Sequence, residues 1–548
     1  SARRWALALR EQALRPDREA ELEYWHNLLE AFDLPLGTRA FDPAVDVMST
    51  LDTVRIQLPA QVTKAVLTTL PAAFRATGAD VLLAALALAV NRWRGVDSPT
   101  LIRLEGHGRQ EDLVPGADLS RTVGWFTSMY PARIDVSAVE LNEVLTGGPA
   151  AGTAIKLVKE QVRQIPDKGM GYGLLRYLNP TTAPRLAEYA VPQIGFNYLG
   201  RISDTDVPED LRASGWGPAP WSTELVPAPD PDLPALSALE VGCLATDTAD
   251  GTRLQAAFVF PTGVLSRQRV DELAHLWAQV LHAMATHATH PDTGGLTPCD
   301  APLVSVGQNE IEAWETRYGR LVDIWPQAPG QSGIQFQAAV ADGSFDVYHM
   351  QFVLHLTGHV DPDRMRTAGQ ALLDRYPNLR AAFLTAADGD PLQVIPEHTP
   401  LPWRHLDLTN HTQHEQDTTL DQFLTQDRAD RLDPTRPPLL RLGLLTYSPQ
   451  QAKLVITAHH TIFDGWSSPL VFRDLIRLYT TTHHLTPVRS YGDGDDWSSP
   501  LVFRDLIQLY SATYDLAPVR SYGEYLAWLS TRDRKATAAR WQAELAGF

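Results

Sequence analysis

Between residues 287 and 309 the hydrophobic periodicity of the chain stops and Pro, Gly, Thr and Asp accumulate (HATHPDTGGLTPCDAPLVSVGQN), the composition of a connection between separately folded units. At 548 residues the chain exceeds the size at which one core stops growing, so two or more cores are expected. The break divides them into a first unit of residues 1–290, a junction of 291–322 and a second unit of 323–548.

Both sides of the break read as mixed α/β. In the first, residues 52–58 (DTVRIQL) alternate as a strand and residues 60–77 follow as a helix. The Ala/Leu-rich run 80–94 is apolar nearly all round, as a buried helix is. Strand-like pieces recur at 100–104, 192–198, 239–245 and 254–260, and a long amphipathic helix covers 266–286. In the second unit, strands are predicted at 349–356, 440–445 and 454–458, with a helix over 361–375.

Composition narrows the function classes. Hydrophobic residues at 44% and charged residues at 20% are ordinary globular usage, so the chain can bury sizeable cores. The 47 Lys+Arg against 65 Asp+Glu give a formal charge of -18, which argues against a nucleic-acid partner, since binding a phosphate backbone needs a basic face. The longest strongly apolar run, 81–90, is about half the roughly 20 residues needed to cross a bilayer. The N-terminus lacks the apolar core of a signal peptide, so neither export nor a membrane is expected. Two cysteines, Cys243 and Cys299, supply neither a disulfide framework nor a four-ligand metal site, and a reducing cytoplasm is the expected setting. The chain opens without Met, directly in an amphipathic helical pattern (Trp5, Leu7, Leu9), as a piece of a longer polypeptide would.

Two internal repeats stand out. Residues 466–492 (WSSPLVFRDLIRLYTTTHHLTPVRSYG) recur almost unchanged at 497–523 (WSSPLVFRDLIQLYSATYDLAPVRSYG), a local duplication too short for a solenoid. More distantly, Ser1, Trp5 and residues 25–32 (WHNLLEAF) are echoed by Ser521, Tyr525 and residues 541–548 (WQAELAGF), as though the chain were one period of an array.

The strongest chemical signal is LVITAHHTIFDGW (454–466). A β-rich run ends in His459 and His460, turns through Asp464 and Gly465, and enters a helix with Ser468 as its N-cap and Pro469 as its first residue. An imidazole pinned at such a turn titrates near neutral pH and can take up a proton. Read on their own, both histidines also fit a structural, hydrogen-bonded role. His287 and His290 have no third ligand nearby and read as a helix-end turn rather than a metal site. No phosphate-binding GxxxxGK[ST] motif is present.

In its strand–turn–helix setting the HHxxxDG pattern resembles the condensation superfamily of nonribosomal peptide synthetases, whose fold is shared with chloramphenicol acetyltransferase. The resemblance implies that His460 deprotonates or positions an attacking amine, with His459 and Gly465 in support and Asp464 holding the motif through an ion pair. The second copy of the repeat has no histidines before Trp497 and is no second site. DIWPQAPGQSGIQFQA (323–338), RYPNLRAAF (375–383) and YGEYLAW (522–528) resemble further condensation motifs, the second in the form associated with domains that accept a D-configured donor.

The first unit carries a different set. EGHGR (105–109), RTVGWFT (121–127) with Tyr130 and Pro131, PDKGMGYG (166–173) and FNYLG (196–200) follow the order and spacing of epimerization domains of the same synthetases. Epimerization removes and returns the Cα proton of a carrier-bound thioester, which needs a base on each side of that carbon or one mobile base. The resemblance makes Glu105 one such group and places Asn197 and Tyr198 near the thioester carbonyl. A salt-bridged Glu105 beside Arg103 or Arg109, and ordinary strand packing for Asn197 and Tyr198, are the competing structural readings. His107 reads as shaping the turn, with Arg109 beside it.

The resemblance implies two α/β sandwich lobes of the chloramphenicol acetyltransferase type: the C-terminal lobe of an epimerization domain, then the N-terminal lobe of a condensation domain. Substrates would ride on the phosphopantetheine of a separate peptidyl carrier domain, with no cofactor bound directly, no metal, and neighbouring synthetase domains as partners. Each parental site would be half present, so little or no activity is expected of the chain alone. Pairing of the two lobes, within a chain or by exchange between two chains, is a further expectation. A free-standing acyltransferase using coenzyme A and a non-catalytic connector between modules are the alternatives.

Overall fold

The computed structural model describes residues 2–30, 34–202, 229–248, 250–340, 348–480 and 519–546. The chain divides into two compact units, Ser1–Gly294 and Gly295–Phe548. The two glycines at the division have φ of 130° and 123°, a region that only glycine enters readily.

The first unit is built on a six-stranded mixed sheet: β1 (Leu51–Gln57), β2 (Thr100–Gly106), β3 (Ser128–Ile134), β4 (Ile194–Ile202), β5 (Leu239–Thr248) and β6 (Gly251–Pro261). Its order is β1-β6-β5-β4-β2-β3, with β4 parallel to both β2 and β5 and the other neighbours antiparallel. Strand alternation sends Ile102, Leu104, Ile194, Phe196, Leu239, Val241 and Cys243 into the core. The intervening Arg103, Glu105, Gly195, Asn197, Glu240 and Gly242 therefore lie on the opposite face.

The core is filled by helix Gly78–Arg94, in which Val81 through Val90 are all buried, and by helix Arg267–His287. The former starts on a capping box between Thr77 and Asp80 and stops at Gly95 in the left-handed conformation. Trp277 of the latter is fully buried, meets Phe258 edge-on at 5.8 Å and donates to the carbonyl of Leu82 at 3.2 Å. The single helix expected over 60–77 is instead three pieces, with a π-helical turn at Ala65–Thr69 and an end at Arg75 (φ 50°). Pro71 has no N–H to continue the α-helical ladder through this stretch.

The second unit has two sheets. The smaller, in order β7-β10-β9, joins β7 (Leu321–Pro326), β9 (Ala382–Thr385) and β10 (Pro391–Pro396). The larger, in order β11-β12-β13-β8, joins β8 (His349–Thr357), β11 (Trp403–Asp407), β12 (Leu440–Ser448) and β13 (Gln451–His459). Helix Pro362–Arg375, capped by the Asp361 carboxylate on the N–H groups of Asp363 and Arg364, packs against helix Ser468–Thr480. Their buried faces supply Met365, Leu372, Phe472 and Leu475 to the core under β12 and β13.

The junction segment 291–322 is more than a tether. It contains a short turn of 3₁₀ helix at Pro298–Asp300 and helix Gln308–Tyr318. Leu296, Ala301 and Ile311 are buried with Ile324, Leu392 and Val394 of the smaller sheet. Polar and turn residues mark its exposed side, while a few spaced apolar side chains tie it to the second unit. Of the duplicated segments, residues 466–480 and 519–523 are described, and the rest of both copies lies outside the described residues.

Candidate functional sites in the two units

Glu105 is the penultimate residue of β2, half-buried on the face turned away from the core. Its Oε2 accepts a hydrogen bond from Nδ2 of Asn197 on neighbouring β4 at 2.7 Å. Among the described residues it makes no ion pair. Arg103 turns to Glu240 at 2.5 Å, and Arg109 donates to the carbonyls of Leu119 (2.6 Å) and Thr122 (2.9 Å). Burial pushes the Glu105 carboxyl above the usual carboxylate range; nearby Arg103 opposes this and Glu240 adds to it. The arrangement is a carboxylate held by one neutral donor and biased toward holding a proton.

The loop after β2 is fixed by its own residues. His107 Nδ1 accepts from the N–H of Arg109 at 3.0 Å, so this histidine shapes the turn. Gly108 has φ 63°, and a Cβ there would come within 1.6 Å of the Phe126 carbonyl oxygen. The Arg109 guanidinium lies 4.2 Å from the centre of the Phe126 ring. Between these anchors Val123 (98%) and Trp125 (92%) are almost fully exposed. In the PDKGMGYG segment, Asp167 and Lys168 both take the left-handed conformation (φ 44° and 52°), and Arg18 pairs with Asp167 at 2.7 Å. Two consecutive non-glycine residues so placed are backbone strain that the surrounding packing must hold.

Of the two readings open for Tyr198, the structure matches ordinary strand packing. Tyr198 is consecutive with Asn197 on β4 and points to the other face, beside Cys243 of β5 and against the core. The structure brings Asn197 to Glu105 and takes Tyr198 away from it.

In the second unit, His459 ends β13 fully buried, its Nδ1 bonded to Thr461 Oγ1 at 2.6 Å. His460 follows with its N–H on the Tyr348 carbonyl at 2.8 Å and its ring edge-on to the Tyr348 ring at 6.5 Å. The His460 imidazole is only partly buried, and its Nδ1 has no hydrogen-bond partner among the described residues. The two histidines thus differ: His459 is tied into the turn through Thr461, while His460 keeps a partly exposed ring with a buried Nδ1.

Asp464 is exposed and makes no ion pair among the described residues, contrary to what the resemblance implied. Its carboxylate accepts from the N–H and Oγ of Ser467 at 2.8 and 2.7 Å. That makes Asp464 the cap of the turn into helix Ser468–Thr480, a role the sequence had assigned to Ser468. Gly465 is exposed in the same turn.

Several polar residues outside the expected set hold this loop. Gln331 and Gln335, four apart on helix Pro329–Val340, donate to the Thr461 carbonyl (2.9 Å) and Oγ1 (3.1 Å). Asn378 donates to the Ile462 carbonyl at 2.9 Å. Asp474, 1% exposed, gathers Arg375 (3.2 Å), Arg473 (3.0 Å) and the Tyr376 hydroxyl (2.6 Å). The i, i+4 spacing of the two glutamines, which puts them on one face of the helix, was the available signal for their role.

The rings of His287 and His290 stack at 5.9 Å, and among the described residues no group of three His, Cys, Asp or Glu could hold a metal ion. Also among the described residues, no single helix is long and apolar enough to cross a membrane.

The family model for the condensation domain matches residues 3–294 and 323–493, well over half of the chain. The chain belongs to the condensation-domain family. The α/β lobe of that superfamily is the architecture of each unit described above. Among curated proteins, one component protein of the linear gramicidin synthase of Brevibacillus parabrevis is 30% identical over 558 residues, covering 100% of this chain. A second component of the same synthase is 32% identical over 498 residues, covering 88%. This condensation-family chain spans only 6% and 9% of the length of those two relatives. A solved structure, the epimerization domain from the third module of tyrocidine synthetase B, is 28% identical, with 52% of this chain and 59% of that chain covered and a TM-score of 0.43.

Proposed function

We propose that this condensation-family chain is a junction of a nonribosomal peptide synthetase. Residues 1–290 would be the C-terminal lobe of an epimerization domain, and residues 323–548 the N-terminal lobe of a following condensation domain that accepts a D-configured donor. Substrates arrive as thioesters on the phosphopantetheine of separate peptidyl carrier domains.

The observation that carries this reading is Glu105: a half-buried carboxylate, oriented by Asn197, with no paired cation and a raised affinity for its proton. A Cα–H next to a thioester is weakly acidic, and a partly buried carboxylate with a raised affinity for its proton suits its removal. Glu105 takes the proton, the electron pair of the C–H bond moves into the thioester as an enolate, and a second acid returns a proton to the opposite face. In the second unit, His460 accepts the proton of an attacking amine as the new peptide bond forms and the pantetheine thiol leaves.

Each unit would be one lobe of a two-lobed site whose other lobe is of the opposite kind. Residues 1–294 contain EGHGR and no HHxxxDG, while residues 295–548 contain HHTIFDG and no EGHGR. The chain alone is therefore expected to be inert or very weak in both reactions.

The test uses a longer synthetase polypeptide carrying the neighbouring lobes and carrier domains. Glu105→Gln should leave the carrier-bound residue in the L configuration with peptide-bond formation from a supplied D-donor intact. His460→Ala should abolish peptide-bond formation and leave racemisation intact. Loss of both activities in either variant would contradict the separation of roles.

A further inference from the structure

Three adjacent strands of the first unit present two polar rows on the face away from the core. Arg103 on β2 is in register with Gly195 on β4, which is in register with Glu240 on β5. Two residues along, Glu105 on β2 meets Asn197 on β4, which is in register with Gly242 on β5. The first row is closed by the Arg103–Glu240 pair at 2.5 Å, reaching across Gly195. Gly195 permits this because a Cβ there would come 2.1 Å from Oε2 of Glu240.

Arg103 is 8% exposed. Its Nη1 donates to the Leu236 carbonyl at 3.0 Å, Nη2 to Glu240, and its buried Nε has no partner among the described residues. A nearly buried guanidinium with a spare donor seeks a carboxylate. Arg103 and Glu105 lie two apart on one strand and so share a face, which puts Glu105 within the electrostatic reach of Arg103. Glu240 is itself tied down by the Ser237 hydroxyl.

We propose that Glu240 is a positioning residue for Glu105: by engaging Arg103 across Gly195, it keeps that cation from pairing with Glu105 and leaves the Glu105 carboxylate to Asn197 and to an incoming proton. The assignment of that proton to a substrate Cα rests on the function proposed above; the restraint on Arg103 does not. The charged groups acting on Glu105 are Arg103 on its own strand and Glu240 on β5, two strands away, and its partner on β3, Met129, is uncharged.

The experiment follows the Glu105 carboxylate by ¹³C NMR through a pH titration of the full chain, with the resonance assigned by its absence in Glu105→Gln. Glu240→Gln removes a like charge and frees the cation, so the Glu105 midpoint should move down. Gly195→Ala separates the pair sterically and should move it down too. Arg103→Gln removes the cation and should move it up. If Gly195→Ala fails to fold, the opposite signs of the other two still decide. An unmoved midpoint in Glu240→Gln, or shifts of the same sign in Glu240→Gln and Arg103→Gln, would overturn the proposal. Failure of the epimerase reading is separately visible: the midpoints would shift as described, while no Cα–H exchange appears when the chain is supplied with an HHxxxDG-bearing lobe.

Discussion

Asn197 and Glu105 meet across neighbouring parallel strands, amide nitrogen to carboxylate oxygen at 2.7 Å, on the face of the sheet that the core does not use. Neither arginine of the surrounding motif takes part: Arg103 is held by Glu240 and Arg109 by backbone carbonyls. A carboxylate at the end of a buried strand would ordinarily be neutralised by such neighbours. Here it is oriented without being paired, and that is the property an acid–base group needs.

The cost of that arrangement should be measurable. Burial raises the Glu105 carboxyl above its ordinary value of 4.5, so the folded chain binds this proton more tightly than the unfolded chain does. The stability contributed by the group is present in acid and is lost as pH rises through the folded value. Glu105→Gln should therefore melt at a higher temperature than the parent near neutral pH, with the difference vanishing below about pH 4. A variant less stable than the parent at neutral pH would show that the charge is stabilised by its surroundings.

Thr461 links His459 to the helix bearing Gln331 and Gln335. Replacing its hydroxyl by a methyl in Thr461→Val leaves buried polar partners unmet, which costs about 1–3 kcal/mol. Urea denaturation should show this as a lower midpoint for the second unit, and an unchanged midpoint would mean that the hydroxyl is dispensable to the loop.

Asp474→Asn tests the ion cluster behind the RYPNLRAAF segment. The carboxylate is buried while Arg375 and Arg473 are about one-fifth exposed, so removing it strands two partly desolvated guanidiniums. A loss of about 3 kcal/mol is expected, the low end for breaking a buried pair because water reaches both arginines. Denaturation of Asp474→Asn beside Arg473→Lys, which keeps the charge, checks it: the former should show that loss and the latter little.

The two cysteines should differ in reactivity. Cys243, on β5 between β4 and β6, is fully buried, and burial pushes its thiol up to about 12. Cys299 is partly exposed, with its sulfur 3.4 Å from the Thr297 hydroxyl. A thiol reagent at neutral pH should label one site in the folded chain and two after denaturation. Native labelling of Cys243 would mean that the first core opens readily.

Much of the fold was legible where one physical signal dominated. β8, β12 and β13 follow from runs of β-favouring residues bounded by turns, and helix Gly78–Arg94 from its all-round apolar surface. β3 was not legible, because Pro131 argues against a strand; it is tolerated there because β3 is an edge. In the candidate sites, Glu105 and His460 were singled out by their resemblance to family motifs, and strand alternation would have separated Asn197 from Tyr198 had it been applied to FNYLG. The Asp464 cap and the Gln331–Thr461–His459 connection depend on which segments the fold brings together, information that no local window contains.

The central claim is that Glu105 exchanges the Cα proton of a carrier-bound aminoacyl thioester. Its most direct test is deuterium wash-in at that carbon in heavy water, with the chain alone and with a condensation-type lobe bearing HHxxxDG fused ahead of residue 1. The chain alone should exchange no faster than the protein-free thioester, and the fused protein should exchange rapidly in a manner abolished by Glu105→Gln. Rapid wash-in by the chain alone, or wash-in in the fused protein that survives Glu105→Gln, would contradict the account.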